Sequence, residues 1–431
     1  MAVIDSGVVP VNGLTTTGKV LNGIDLSFES QSDELRHLDT YGHGTHMAGI
    51  IAGRDDDVSS TVRSGNSRDF IGMAPGVRIV NLKVADAEGA TDVSQVIAAI
   101  DWVVAHRRND GVNIRVLNLS FGTDGVQDYR LDPLAYAVEV AWRKGIVVVV
   151  AAGNRGFGTV KLNNPAYNPH VLAVGASASN GTYSTADDTI PRFSSCGNGQ
   201  RNPDLLAPGK SIVSLRAANS SADADHPEGR VDSRFFRGSG TSQSAAVVSG
   251  AAALVIQQRP SITPDQVKAL LTSTATPLPE AGEACQGAGL LDLDEAIDRR
   301  TPSSSGSMQQ WARSTGLGSL DAARGSARLS DDGDDDDDRL AGGVWNGKSW
   351  SGDTWSGTSW SGTSWSGTSW SGTSWSGTSW SDSSWSDSSW SGTSWSDSSW
   401  SDSSWSGKSW SDSSWSGSGW NGTAWSASAW Q

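Results

Sequence analysis

The chain has 431 residues, of which 36% are apolar, and a formal net charge of −15. That length supplies at least one sizeable core. The acidic balance argues against a nucleic-acid partner, and no apolar run supports a membrane span. Two cysteines, Cys196 and Cys285, leave open one disulfide or two buried thiols, and no Cys/His cluster has zinc spacing.

In chain order, the first segment, Met-Ala-Val-Ile-Asp5-Ser-Gly, reads as a buried apolar strand that ends in a carboxylate and turns at once. Gly42-His43-Gly44-Thr45-His46 reads as a glycine turn entering a small-residue helix, with His43 at its mouth and His46 structural. Asp55-Asp56-Asp57 reads as a solvated surface loop. Apolar runs at 77–84, 112–119, 145–152 and 171–176 predict strands, and stretches at 92–107, 133–144, 242–258 and 264–275 predict helices. Pro264 followed by Asp265 is a helix start. This alternation predicts an α/β fold with a mostly parallel, doubly wound sheet and a site at the strand C-termini. The run 145–152 suits a parallel strand covered on both faces, and it delivers Gly153 and Asn154 at its end. Gly238-Ser-Gly-Thr-Ser242 is a second glycine turn feeding a helix, so Ser242 stands where unpaired backbone N–H groups favour negative charge.

Asp5, His43 and Ser242 belong together chemically. A serine hydroxyl is a poor nucleophile at neutral pH, an imidazole can take its proton, and a carboxylate can hold that imidazole in the right tautomer. Each motif alone is ordinary turn or cap chemistry; the ordered set is far more demanding. With Asp first, His second and Ser third, the chain resembles the subtilisin-like (subtilase) serine peptidases. The resemblance continues through Asn202-Pro-Asp-Leu-Leu-Ala-Pro-Gly209 and Gly287-Ala-Gly-Leu-Leu-Asp292, covering residues 1–300.

The resemblance implies an acyl-enzyme endopeptidase acting on proteins or peptides, with Asp5, His43 and Ser242 as the triad. Asn154 is expected to donate to the oxyanion with the Ser242 backbone N–H. Ser120, Phe121 and Gly122 would pair with the substrate and form one wall of the pocket before the cut. Ala151, Ala152 and Gly153 would form the other wall. Small residues beside Phe121 suggest a preference for apolar or aromatic side chains. The resemblance also implies an extracellular or cell-envelope location. Structural calcium occurs in such proteins, yet no loop here shows a strong ligand series, and the chemistry requires no cofactor.

Departures from the family pattern are Gln243, Ala246 and Val247, where many relatives carry Met, Pro and His. None removes an acid-base group, and Gln243 bears on oxidation sensitivity and pocket shape. Asp5 also lies very near Met1. Relatives carry a signal peptide, a pro-segment and a stretch before the first catalytic strand, so the peptidase domain is expected to be N-terminally truncated rather than a genuine short form.

From residue 301 hydrophobic periodicity disappears, and 301–343 reads as a polar linker containing the acidic run 331–338, a self-repelling spacer. In the tail, residues 344–431, tryptophan recurs every five residues from Trp345 to Trp430, taking all of the 21 tryptophans except Trp102, Trp142 and Trp311. A five-residue step drifts about 140° on a helix and changes face on a strand, so neither element collects the rings on one side. Disorder or a squared β-solenoid remains, and exposed rings separated by hydroxyls suit contact with carbohydrate or cell envelope. The rival to the enzyme reading is an inactive, truncated protease domain that anchors through this tail.

Overall fold

The computed structural model describes residues 1–55, 69–109, 111–157, 161–182, 184–279 and 281–326, with short strand segments between 344 and 425. Seven strands form one parallel sheet: β1 (Ala2–Asp5), β2 (Val20–Asp25), β3 (Ile79–Lys83), β4 (Val116–Leu119), β5 (Val147–Ala151), β6 (Leu172–Ser177) and β7 (Leu205–Pro208). Their spatial order is β2-β3-β1-β4-β5-β6-β7. β8 (Ile212–Leu215) and β9 (Phe235–Gly238) make a separate antiparallel ribbon. The helices are α1 (His43–Ala52), α2 (Val93–His106), α3 (Pro133–Arg143), α4 (Ser221–Asp225), α5 (Thr241–Gln258), α6 (Pro264–Thr274), α7 (Glu283–Gln286), α8 (Leu293–Asp298), α9 (Ser304–Ser307) and α10 (Leu320–Arg324).

The predicted α/β architecture is therefore the one observed. Every residue of β1, β3, β4, β5 and β6 is buried, as a parallel sheet covered on both faces requires. Side chains of the preceding turns start α2, α3 and α6. Asp92 with Gln95 and Thr263 with Gln266 form capping boxes, and Asp132 caps α3 ahead of Pro133. The sequence reading missed β2 and the β8–β9 ribbon, which are half-exposed and lack a continuous apolar run.

Strand order positions the site. β1 pairs with β3 on one side and with β4 on the other, so successive connections leave β1 in opposite directions. In such a sheet the crevice opens at the C-terminal ends of the strands that flank the reversal. Asp5 ends β1, and Ser120 follows the end of β4.

Two expectations from composition are corrected. Asp55 is buried rather than solvated: it accepts hydrogen bonds from Arg234 Nη2 at 2.6 Å and from the Phe70 N–H at 3.0 Å, while Asp56 and Asp57 lie outside the described residues. The polar stretch that starts at 301 packs on the body as far as residue 326. Ser314 N–H donates to the buried carboxylate of Glu139 at 2.8 Å, and Gln309 Nε2 to Asp265 at 3.0 Å. Polar contacts to buried groups hold this segment, which is why apolar periodicity did not reveal it.

The linker reading of the acidic run 331–338 falls outside the described residues. In the tail, the described segments are two- and three-residue strands paired in small ladders, with Trp345 opposite Trp350 and Trp420 opposite Trp425.

Cys196 and Cys285 form a disulfide across a separation of 89 residues, tying the loop after β6 to α7. Closing a loop of this size restricts the unfolded chain by about 4–5 kcal/mol in the chain-entropy account. The double variant Cys196→Ser/Cys285→Ser is expected to lose about 2–4 kcal/mol of stability. Urea unfolding of wild type with and without reductant checks this: equal midpoints in the two conditions would contradict it.

Candidate active site

Three elements converge on the crevice. At the end of β1, Asp5 Oδ1 accepts hydrogen bonds from Ser6 N–H at 2.8 Å and from His43 Nδ1 at 2.7 Å. His43 begins α1, and close approach of that helix to the β1 turn demands glycine at position 44. A Cβ there would lie 2.1 Å from the Gly7 carbonyl oxygen and 3.2 Å from Asp5 Cβ. Ser242 lies in the first turn of α5, which packs against α1.

The Ser242 hydroxyl donates to the Ser120 carbonyl at 3.3 Å, and Ser120 Oγ returns a bond to the Ser242 carbonyl at 3.2 Å. Behind them Asn118, fully buried on β4, donates to Ser120 Oγ at 3.0 Å and accepts from Ser249 Oγ of α5 at 2.9 Å. The nucleophile candidate is thus clamped to the end of β4 by two hydroxyls and an amide.

Asn154 follows β5. Its Oδ1 accepts from both the backbone N–H and the hydroxyl of Thr241, each at 2.9 Å. Committing the oxygen leaves the NH2 group as the donor, beside Gly240, where a Cβ would stand 3.2 Å from Asn154 Nδ2. Sequence alone could not orient this amide.

His43 is subject to opposed influences. Burial disfavours its cation, while the Asp5 carboxylate, the bond to it and Asp39 favour it; the net effect holds His43 above the ordinary imidazole range. His46, one turn along α1, goes the other way: burial, with His43 beside it, lowers it to about 4. Its neutral ring donates from Nε2 to the Phe236 carbonyl at 3.1 Å, in keeping with a structural part.

Asp39 was missed in the sequence. Its Oδ1 accepts from Ser6 Oγ at 2.7 Å and Gly42 N–H at 2.6 Å, and its Oδ2 from Thr45 N–H at 2.7 Å. It thereby fastens the Asp5 turn to the start of α1, and burial pushes its carboxyl up despite bonds from Thr45, Gly42 and Ser6. An aspartate just ahead of a helix start was the available signal.

Asn163 was missed as well. A Cβ on Gly122 would lie 2.9 Å from Asn163 Cβ, and one on Gly153 would lie 2.6 Å from Asn163 Oδ1. The side chain therefore sits against Gly122 and Gly153, at the ends of the two predicted walls, and Arg155 Nε donates to its Oδ1 at 3.1 Å. Ala151 and Ala152 are buried, and Phe121 packs half-buried against the core. The Asn163 carboxamide thus lies beside Phe121 and the small residues from which the apolar preference was read. Among the described residues no His/Cys/Asp/Glu group is arranged to hold a metal ion, and no helix is long and apolar enough to cross a membrane.

The subtilase family model matches residues 1–318. The chain belongs to the subtilase family. This subtilase is 35% identical to the serine protease AprX of Bacillus subtilis (strain 168) over 303 residues, an alignment that takes in 69% of the chain and 65% of AprX. It thus spans slightly less than two thirds of that relative's length. It is 30% identical to subtilisin DY of Bacillus licheniformis over 298 residues, 69% of the chain and 89% of that relative. Among solved structures, fervidolysin from Fervidobacterium pennivorans, described as a keratinolytic enzyme related to subtilisin, matches with a TM-score of 0.53 at 27% identity, covering 70% of this chain and 42% of that one.

Proposed function

We propose that the chain is a serine endopeptidase in which Asp5, His43 and Ser242 act as a triad. The observation that carries this is the 2.7 Å Asp5–His43 bond, made beside a serine in the first turn of α5 and an asparagine whose amide is oriented by Thr241. Asp5 accepts from Nδ1, which leaves Nε2 of neutral His43 as the proton acceptor. The Ser242 hydroxyl turns away from the Ser120 carbonyl, gives its proton to His43 and attacks the scissile carbonyl. Charge that develops on the carbonyl oxygen is met by Asn154 Nδ2 and the Ser242 backbone N–H. His43 then protonates the leaving amine, and water, activated by the same imidazole, hydrolyses the acyl-enzyme.

Residues 120–122 pair with the substrate backbone and form one wall of the pocket before the cut, and residues 151–153 form the other. The Cys196–Cys285 disulfide favours an oxidising compartment outside the cytosol.

Because His43 must be neutral to act as base, activity is lost as pH falls through its pKa, and the net upward shift moves the acid limb of kcat/KM above that of an ordinary imidazole. The test is a pH profile for a peptide substrate, together with labelling of the folded protein by a serine-directed fluorophosphonate. A flat profile between about pH 4 and 9, or folded protein that takes no label, would sink the reading.

A further inference from the structure

We propose that residues 319–326 form a latch that holds the two walls of the peptide-binding cleft in register. The latch rests on the proteolytic reading above and extends it to a segment that lies just beyond the family-matched region.

Arg324, at the end of α10, is fully buried and forks onto the buried carboxylate of Asp92, with Nε at 2.5 Å from Oδ2 and Nη2 at 3.1 Å from Oδ1. Asp92 is itself the cap of α2, so the fork fixes α10 to a rigid element. A buried ion pair of this sort is a weak source of stability, because desolvation offsets its attraction, but its geometry is demanding. What it sets in place is the preceding carbonyl. Ala323 O accepts from Thr123 Oγ1 at 2.5 Å and from Asn164 Nδ2 at 3.2 Å. Gly125 is pressed against the same carbonyl: a Cβ on it would lie 2.7 Å from Ala323 O.

Thr123 follows one cleft wall, and Asn164 follows the asparagine that lies against both. They exchange two backbone bonds of 2.9 Å, Thr123 succeeds Gly122, and Asn164 succeeds the Asn163 that touches Gly122 and Gly153. Asn163 N–H also donates to the Ala152 carbonyl at 3.0 Å. A continuous series of contacts thus runs from Arg324 through Ala323 and the Thr123–Asn164 bridge to both walls. At the outer end, Ser326 donates to Asp124 from its N–H at 2.6 Å and its hydroxyl at 2.7 Å. None of these groups contacts Asp5, His43 or Ser242, so they are positioning residues for peptide rather than members of the triad.

The full chain and its Arg324→Met, Arg324→Lys and Thr123→Val variants are compared for peptide kcat and KM and for fluorophosphonate labelling rate. KM is expected to rise at least fivefold in Arg324→Met and Thr123→Val, with kcat and labelling within twofold, since the small probe engages the nucleophile without filling the cleft. Arg324→Lys, which keeps the charge, should recover part of the loss. Folded variants with KM within twofold of wild type would overturn the latch, as would labelling that falls in step with kcat/KM. If Arg324→Met does not fold, Thr123→Val decides by the same limits. Wild type that neither labels nor cleaves overturns the proteolytic reading, and the latch with it; active wild type with unmoved variants overturns the latch alone.

Discussion

Ser242→Ala is expected to lower turnover of a peptide substrate by on the order of 10^6, the magnitude that subtilisin, a relative of this chain, shows on losing its nucleophile. The fold should barely notice. Ser242 is buried, but its hydroxyl makes one bond, the 3.3 Å donation to the Ser120 carbonyl, and alanine leaves the first turn of α5 intact. Loss of a single such bond costs about 1 kcal/mol. Fluorophosphonate labelling should disappear along with turnover, because the probe reports the nucleophile itself. What is expected to survive is the contribution proposed for Asn154 Nδ2 and the backbone N–H groups, which would hold a developing oxyanion whatever attacks. Retention of labelling by a folded Ser242→Ala protein would place the reactive serine elsewhere.

Asp5→Asn is expected to slow turnover by roughly 10^4. The three bonds that Asp5 accepts, from Ser6 N–H, the Ser6 hydroxyl and His43 Nδ1, end on one oxygen. An amide there either keeps its oxygen in place and loses the charge that stabilises the imidazolium, or presents its NH2 to Nδ1 and selects the tautomer that cannot accept a proton at Nε2. Each arrangement slows proton transfer. The sign of the accompanying pH effect is fixed by the same interaction: the Asp5 carboxylate raises His43, so its removal moves the acid limb of the residual activity to lower pH. Steady-state rates across pH 5 to about 9 measure both effects. An Asp5→Asn enzyme within tenfold of wild type, or one whose acid limb moves upward, would show that Asp5 does not orient His43.

Much of this was readable beforehand for local reasons. The buried runs of β1, β3, β4, β5 and β6 announce themselves by apolar continuity, and α2, α3 and α6 by Asp92, Asp132 with Pro133, and Thr263 with Pro264. Asp5, His43 and Ser242 were legible because each stands in a glycine-framed turn whose sequence is constrained by close approach, as the 2.1 Å clearance at Gly44 illustrates. Asp39 and Asn163 were not legible, because their roles depend on partners brought near only by folding. Asp39 reaches Ser6, 33 residues away, and Asn163 meets Gly122 and Gly153 from a separate loop.

The sequence by itself determined the parallel α/β sheet and singled out Asp5, His43 and Ser242, in that order, as the candidate triad, since periodicity and turn chemistry are properties of contiguous residues. Tertiary structure alone decided that Thr241 occupies the oxygen of Asn154, that Asn163 lies against Gly122 and Gly153, and that the polar stretch after residue 300 continues on the body. Arg324 makes the reason plain: in a stretch dominated by serine, glycine, alanine and charged residues it looks solvated until Asp92, 232 residues earlier in the chain, is found to enclose its charge. Long-range pairing of polar groups leaves no period along the chain, and only the folded geometry brings it out.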